Sequence, residues 1–165
     1  MRLNKQEFFM AMAVLCAKRG TCARRQVGCV LIDEHDHVLS TGYNGRIAGA
    51  PHCIDVKCAG VNQKSGEGLD LCEAVHAEEN ALLQCRDVYA IKTCFCTTLP
   101  CPRCLRQLMN TSCIALYYLY DYGDAKMTIA KWQASRILRM AYKLPMIRLI
   151  TQRFVEDEDC EWENI

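Results

Sequence analysis

At 165 residues the chain fits a single domain, with enough apolar sequence to build a core without disulfides. It is 51% apolar and 24% charged, as expected of a soluble globular protein, and its net charge of +1 argues against a strongly basic nucleic-acid footprint. The longest apolar run, about ten residues from Phe8 to Ala17, is too short to cross a bilayer, so no membrane partner is expected.

Glu7 precedes that run and Lys18-Arg19 follows it without a small-residue cleavage pattern, so no signal peptide is expected. Leu3 to Arg19 reads instead as a largely buried helix with Gly20 at its C-terminal cap. Gln26 to Asp33 and Val38 to Tyr43 are apolar, β-branched runs on either side of Glu34-His35-Asp36-His37, the pattern of a hairpin. His35 and His37 read as exposed turn residues, since metal ligands need a converging set. Asn44 to Leu69 is a long glycine-punctuated loop, and loops of that length in compact domains are usually functional or tied down.

A helix is expected from about Glu73 to Cys85, a strand over Thr93 to Thr98, and a helix opened by Pro100 and Pro102 and running to Met109. Cys113 to Tyr120 reads as a strand. Asp124 to Tyr142 reads as a helix with Ala130, Ala134, Ile137, Leu138 and Ala141 on one stripe, and Met146 to Ile150 as a fifth strand. Strands alternating with helices after a hairpin imply an α/β fold, a mixed sheet covered on both faces. The segment Glu156 to Glu163 is acidic and carries Trp162.

Two short motifs carry the chemistry: His76-Ala77-Glu78 and Pro100-Cys101-Pro102-Arg103-Cys104. Cysteines three apart in a helix's first turn point the same way, and the helix's positive end favours thiolates, the form that binds metal. One imidazole and two thiolates give zinc three ligands and leave its fourth tetrahedral position open to water. The two thiolates also balance the charge of Zn²⁺. Glu78 lies close enough to shuttle a proton without being a ligand. A closed structural zinc site is the plainer alternative for Cys-x-x-Cys alone. The His-x-Glu before it, the proline before the first cysteine and the helix-strand interval favour catalysis, in the pattern of zinc nucleobase deaminases. The thirteen cysteines, an odd number with no secretion signal, fit reduced thiols, bound metal and a cytoplasmic location.

From about Phe8 to Leu144 the chain resembles the deoxycytidylate (dCMP) deaminases of the cytidine-deaminase-like superfamily, in their bacterial and phage form. The likeness rests on Thr21-Cys22-Ala23-Arg24 with Val27-Gly28, on Ser40 to Gly45, and on Pro51-His52-Cys53. It continues through His76-Ala77-Glu78 with Asn80-Ala81 and Leu99 to Cys104. The resemblance implies a three-layer αβα fold around a five-stranded mixed sheet, occupying residues 1–152 ahead of an acidic tail over 153–165. It implies conversion of dCMP to dUMP and ammonia for thymidylate synthesis. His76, Cys101 and Cys104 would hold the catalytic zinc and Glu78 would move the proton.

For the substrate, the resemblance implies Asn44 at the deoxyribose 3′-hydroxyl, with Arg24 the candidate for the 5′-phosphate, Ala77 beside the nucleotide and Tyr120 as a wall. Each has a plainer reading. Asn44 before Gly45 is a strong turn signal, Arg24 is interchangeable with Arg25, and strand-end aromatics are more often core. Relatives of this form also carry a second, structural zinc, implying Cys22, Cys53, Cys58 and Cys72 as its ligands with His52 as an alternative. Buried apolar thiols are the simpler account of the same cysteines. Two departures from the compact bacterial form are the polar Gln63 to Gly68 segment and a Cys72 one residue nearer the catalytic histidine.

The resemblance further implies a homohexamer regulated by dCTP and dTTP with Mg²⁺ through the Gly42 to Gly45 region. A tRNA adenosine deaminase shares the zinc motif and would need a basic RNA-binding surface. Lys126, Lys131, Arg136, Arg139, Lys143, Arg148 and Arg153 make the C-terminal third locally basic, which a solvated helix face also explains, and no polynucleotide partner is expected. A non-catalytic zinc module would give Glu78 no role, and deamination of dCTP stays open beside that of dCMP.

Overall fold

The computed structural model describes residues 2–63, 71–134 and 136–145. In chain order it contains α1 (Lys5–Ala17), β1 (Gly28–Ile32), β2 (Val38–Tyr43), β3 (Gly45–Arg46) and a short 3₁₀ turn (Ala59–Asn62). These are followed by β4 (Ala74–Val75), α2 (Ala77–Gln84), β5 (Thr93–Thr98), α3 (Pro102–Met109), β6 (Ala115–Tyr120), α4 (Ala125–Gln133) and β7 (Met140–Lys143).

Five strands form the central sheet in the order β2-β1-β5-β6-β7. β1 runs antiparallel to β2 and β5, whereas β5, β6 and β7 are mutually parallel. All five residues of β1 are buried, as a strand covered on both faces requires. Alternate residues divide between two cores. Cys29, Leu31, Cys94, Cys96, Leu116 and Tyr118 face α2, α3 and α4, meeting Ala77, Ala81, Leu105, Leu108 and Trp132. Val30, Ile32, Phe95 and Leu119 face the opposite side and meet Phe9, Met10 and Ala13 of α1. The fold is therefore the expected three-layer αβα arrangement.

Two glycines set how closely the helices approach. A Cβ on Gly28 would come within 1.9 Å of the Ala13 carbonyl oxygen in α1, and one on Gly42 within 2.1 Å of the Ala77 carbonyl oxygen in α2. The first hairpin is thus gripped at backbone distance from both faces. Gly28→Ala must push α1 off the sheet and is expected to lower unfolding stability by about 2 kcal/mol in urea titrations. An unchanged midpoint would mean that α1 moves away without loss of packing.

Several elements differ from their expected form. α1 is shorter than Leu3 to Arg19, opened by a capping box in which Asn4 and Glu7 exchange hydrogen bonds of 2.8 Å. It buries one face rather than its whole circumference, leaving Phe8 and Leu15 half-exposed. α2 begins at Ala77 rather than near Glu73, because Ala74 and Val75 pair with Gly45 and Arg46 in a small second ladder.

The largest difference is in the C-terminal third. The helix expected to reach Tyr142 stops at Gln133, and residues 140–143 form the fifth strand beside β6. The reason is tertiary. The Trp132 indole N–H donates to the Met140 carbonyl at 3.1 Å, and the buried Arg139 guanidinium donates to the carbonyls of Cys113 and Met109 at 3.2 and 2.8 Å. Those bonds fix an extended chain where local propensity favoured helix. The expected apolar stripe fails with it, Leu138 being 81% exposed. Arg139 is likewise no solvated helix-face cation. The strand placed at Met146 to Ile150, Arg148, Arg153 and the acidic tail with Trp162 lie outside the described residues.

Candidate active site

The site is built from two helix starts. His76 is the N-cap of α2, and Cys101 is the N-cap of α3, with Pro102 opening that helix. The His76 Nδ1 lies 3.5 Å from the Cys101 Sγ and 3.3 Å from the Cys104 Sγ. Their three ligand atoms all fall within 4.8 Å of one another, and among the described residues no other such trio of His, Cys, Asp or Glu occurs. The donor set fits Zn²⁺: one nitrogen, two sulfurs and room for a fourth ligand.

Electrostatics follow from the crowding. Contact with the Cys104 thiol, aided by the His76 imidazole, holds Cys101 as a thiolate down to about 4. Cys104, pressed against Cys101 and buried, is pushed up and keeps its proton. His76 is raised by its bond to Cys101. Without metal, the trio therefore shares one negative charge between sulfurs beside a readily protonated ring. Metal uptake must displace those protons, which ties affinity to pH. Glu78 is 4% exposed, and burial raises its carboxyl from 4.5 to about 7. A carboxyl poised there can both take and give a proton near neutrality.

His76, Cys101 and Glu78 open onto a cavity of about 760 Å³, with Cys104 buried behind them. Glu78, His76, Cys101, Asn44, Arg24 and Ala77 all line it, so the structure brings together most of the residues expected at the substrate. Tyr120 does not line it; its half-exposed side chain caps the end of β6, and the aromatic wall is Tyr122. The Arg25 guanidinium lies over the Tyr122 ring at 5.5 Å from its centroid. Arg103 and Arg106 of α3 also line the cavity and were not expected there. Both sit in the first turns of a helix recognised only for its cysteines, so their sequence position carried no separate signal.

Asn44 combines its two readings. Its Oδ1 accepts from the Val27 N–H at 2.8 Å and its Nδ2 donates to the Arg25 carbonyl at 2.7 Å, so the side chain clamps the loop carrying Arg24 and Arg25. One amide N–H and one lone pair remain for another partner. Next along the chain, the Asn80 side chain donates to the Tyr43 carbonyl at 2.7 Å, joining β2 to the catalytic helix.

The cysteines expected to hold a second metal share one neighbourhood. The Sγ atoms of Cys53 and Cys58 are 3.6 Å apart, and Cys22 and Cys72 line the cavity. Burial, with Cys22 and Cys58 nearby, raises the Cys72 thiol. The Cys53 thiol is lowered: burial opposes this, but the backbone N–H groups of Cys58 and Ala23 and the charge of Arg46 outweigh it. No three of these four sulfurs lie within 4.8 Å of one another. His52 is exposed, as are His35 and His37, the latter paired with Asp33 at 3.1 Å in the hairpin turn.

The sequence model of the cytidine and deoxycytidylate deaminase zinc-binding region matches residues 3–120. The chain is 37% identical over 148 residues to the deoxycytidylate deaminase of Schizosaccharomyces pombe, a stretch covering 87% of this chain and 46% of that protein. It is 39% identical over 110 residues to the deoxycytidylate deaminase of Mycobacterium phage D29, covering 62% of this chain and 84% of the phage protein. The chain thus spans about half the length of the fission-yeast relative. The crystal structure of the cyanophage S-TIM5 dCMP deaminase in complex with dCMP and dUMP superposes with a TM-score of 0.64. That match is 23% identical over 86% of this chain and 99% of the phage chain, a likeness of fold. Matched over most of its described length, and carrying the His-Cys-Cys trio with a buried glutamate beside it, the chain belongs to the cytidine and deoxycytidylate deaminase family.

Proposed function

We propose that this chain hydrolyses the exocyclic amine of dCMP, releasing dUMP and ammonia and so supplying dUMP for thymidylate synthesis. The observation that carries the reading is Glu78, a buried carboxyl poised near neutrality in the same cavity as His76 and Cys101, with the buried Cys104 completing the trio. His76, Cys101 and Cys104 would hold the zinc, which would supply Lewis acidity toward water. Glu78 takes one proton from the attacking water and hands it to the ring nitrogen. It then takes the second from the newly formed hydroxyl and gives it to the amine, so that the carbonyl forms as the C–N bond breaks and ammonia leaves. The buried Ala77 leaves room for the pyrimidine, and Tyr122 offers it an aromatic wall. Arg24, with Arg25 and Arg106 near it, reads the 5′-phosphate, a match of planar guanidinium to phosphate. The free N–H and lone pair of Asn44 meet the sugar hydroxyl.

Cys22, Cys53, Cys58 and Cys72 would hold a second, structural zinc, which would tie down the loop that carries Cys53 and Cys58. dCTP and dTTP with Mg²⁺ act on a cytoplasmic homohexamer through Gly42 to Gly45. The Tyr43–Asn80 bond gives that segment a direct hold on α2. The deaminase domain occupies residues 1–152, with 153–165 as an appended acidic tail.

The test is deamination of dCMP, CMP, deoxycytidine, dCTP and a tRNA anticodon stem-loop, with zinc content measured on the same sample. dCMP is expected to react fastest, with two zincs per chain and a rate that dCTP and dTTP shift at limiting dCMP. No turnover of dCMP by zinc-replete protein refutes the activity, and turnover of the stem-loop alone makes the chain a tRNA deaminase. One zinc per chain removes the second site. A rate indifferent to both triphosphates removes the regulation.

A further inference from the structure

The two helices that carry the metal ligands both point their N-termini at one spot. Each such end carries roughly half a positive charge, and each leaves backbone N–H groups without partners. Brought together around the trio, the two ends repel each other. One buried side chain answers both needs. Glu79, 9% exposed, follows the proton-carrying glutamate on α2. Its Oε2 accepts the backbone N–H of His76 at 3.1 Å, and its Oε1 accepts from the Arg103 Nη2 at 2.9 Å and the Gln107 Nε2 at 3.3 Å. Arg103 stands between the two cysteine ligands, and Gln107 lies one turn further along the same helix face.

We infer that Glu79, Arg103 and Gln107 form a brace that sets the spacing between His76 and the Cys101–Cys104 pair, with Glu79 as the positioning residue for metal capture. The carboxylate joins the backbone of the nitrogen ligand to the helix of both sulfur ligands. It also places a negative charge between two positive helix ends. Its other partners are donors only at the atoms they present, so an amide in its place would turn its own N–H groups toward a donor. The inference rests on the trio being a zinc site and does not depend on which nucleotide is turned over.

The experiment loads the full chain with zinc and follows transfer of the metal to excess chelator, beside urea unfolding of the metal-free chain. Glu79→Gln is expected to release zinc about tenfold faster or more, the scale on which partners of metal ligands act, with the metal-free chain losing less stability than that factor corresponds to. Arg103→Met, at an exposed position that folding tolerates, is expected to accelerate release less. The double variant should release no faster than Glu79→Gln alone, since both remove one brace. An unchanged release rate in Glu79→Gln and Arg103→Met overturns the inference. So does faster release matched by an equal loss of metal-free stability, which would make Glu79 an ordinary packing residue. No substrate enters these measurements. A chain that holds zinc through an intact brace yet turns over no dCMP counts against the deaminase reading and leaves the brace standing.

Discussion

Glu78→Gln is expected to lower dCMP turnover by about a thousandfold while zinc content stays at the parental level. Glutamine keeps the shape of the side chain and its capacity to accept a hydrogen bond, but it cannot carry a proton between water and substrate. His76, Cys101 and Cys104 are untouched by the change, so metal should remain. Steady-state assays at saturating dCMP, with metal content measured on the same preparation, separate the two effects. A variant that keeps a substantial share of the parental rate would place the proton shuttle elsewhere. One that loses its zinc would make Glu78 a support of the metal site.

The same substitution is expected to stabilise the metal-free chain at neutral and alkaline pH. An unfolded glutamate gives up its proton near 4.5, whereas burial keeps Glu78 protonated up to about 7. Between those values the folded chain binds a proton that the unfolded chain does not, so stability falls as pH rises through the window. The full gap corresponds to about 3 kcal/mol. Glutamine has no such proton to lose. Parent and variant should therefore unfold with similar stability near pH 4.5 and diverge by up to about 3 kcal/mol above pH 7, the variant being the more stable. Urea unfolding in the presence of chelator at a series of pH values measures this. Parallel pH curves would mean that water reaches the Glu78 carboxyl in the metal-free fold. The parent sequence thus retains a residue that weakens its own metal-free state, a cost that the proposed proton shuttle accounts for.

The sequence made the reaction centre legible because its parts are local. Cys101 and Cys104 share one helix turn, and His76 and Glu78 share another, so spacing alone determines which way they face. The hairpin, β5 and α3 were legible for the same reason, with alternation or capping written within a few residues. The C-terminal third was not. Its Ile137 and Leu138 fit a helical stripe, and nothing local announces that Arg139 will be buried beneath Trp132 and hold an edge strand instead.

Tyr120 and Tyr122 show a related limit. The two-residue period of a strand lapses where β6 ends, so direction beyond Tyr120 depends on the turn and not on parity. Glu79 was hidden by its neighbour. Two adjacent glutamates at a helix start look interchangeable, and only the placement of α3 against α2 gives Glu79 its partner Arg103 while Glu78 is left buried with a raised carboxyl.

The contact between Gly42 and the first residue of α2 bears on precision. Helices usually rest on side chains, whose volumes set the spacing to the sheet. Here the first turn of α2 rests on the bare backbone of β2, with no side chain interposed. His76 and Glu78 flank the residue that makes this contact, so the mechanical tolerance of the imidazole and of the buried carboxyl is that of the sheet itself. For chemistry in which a misplacement of about 1 Å costs about a hundredfold in rate, the missing Cβ works as a datum surface from which the reacting groups are measured.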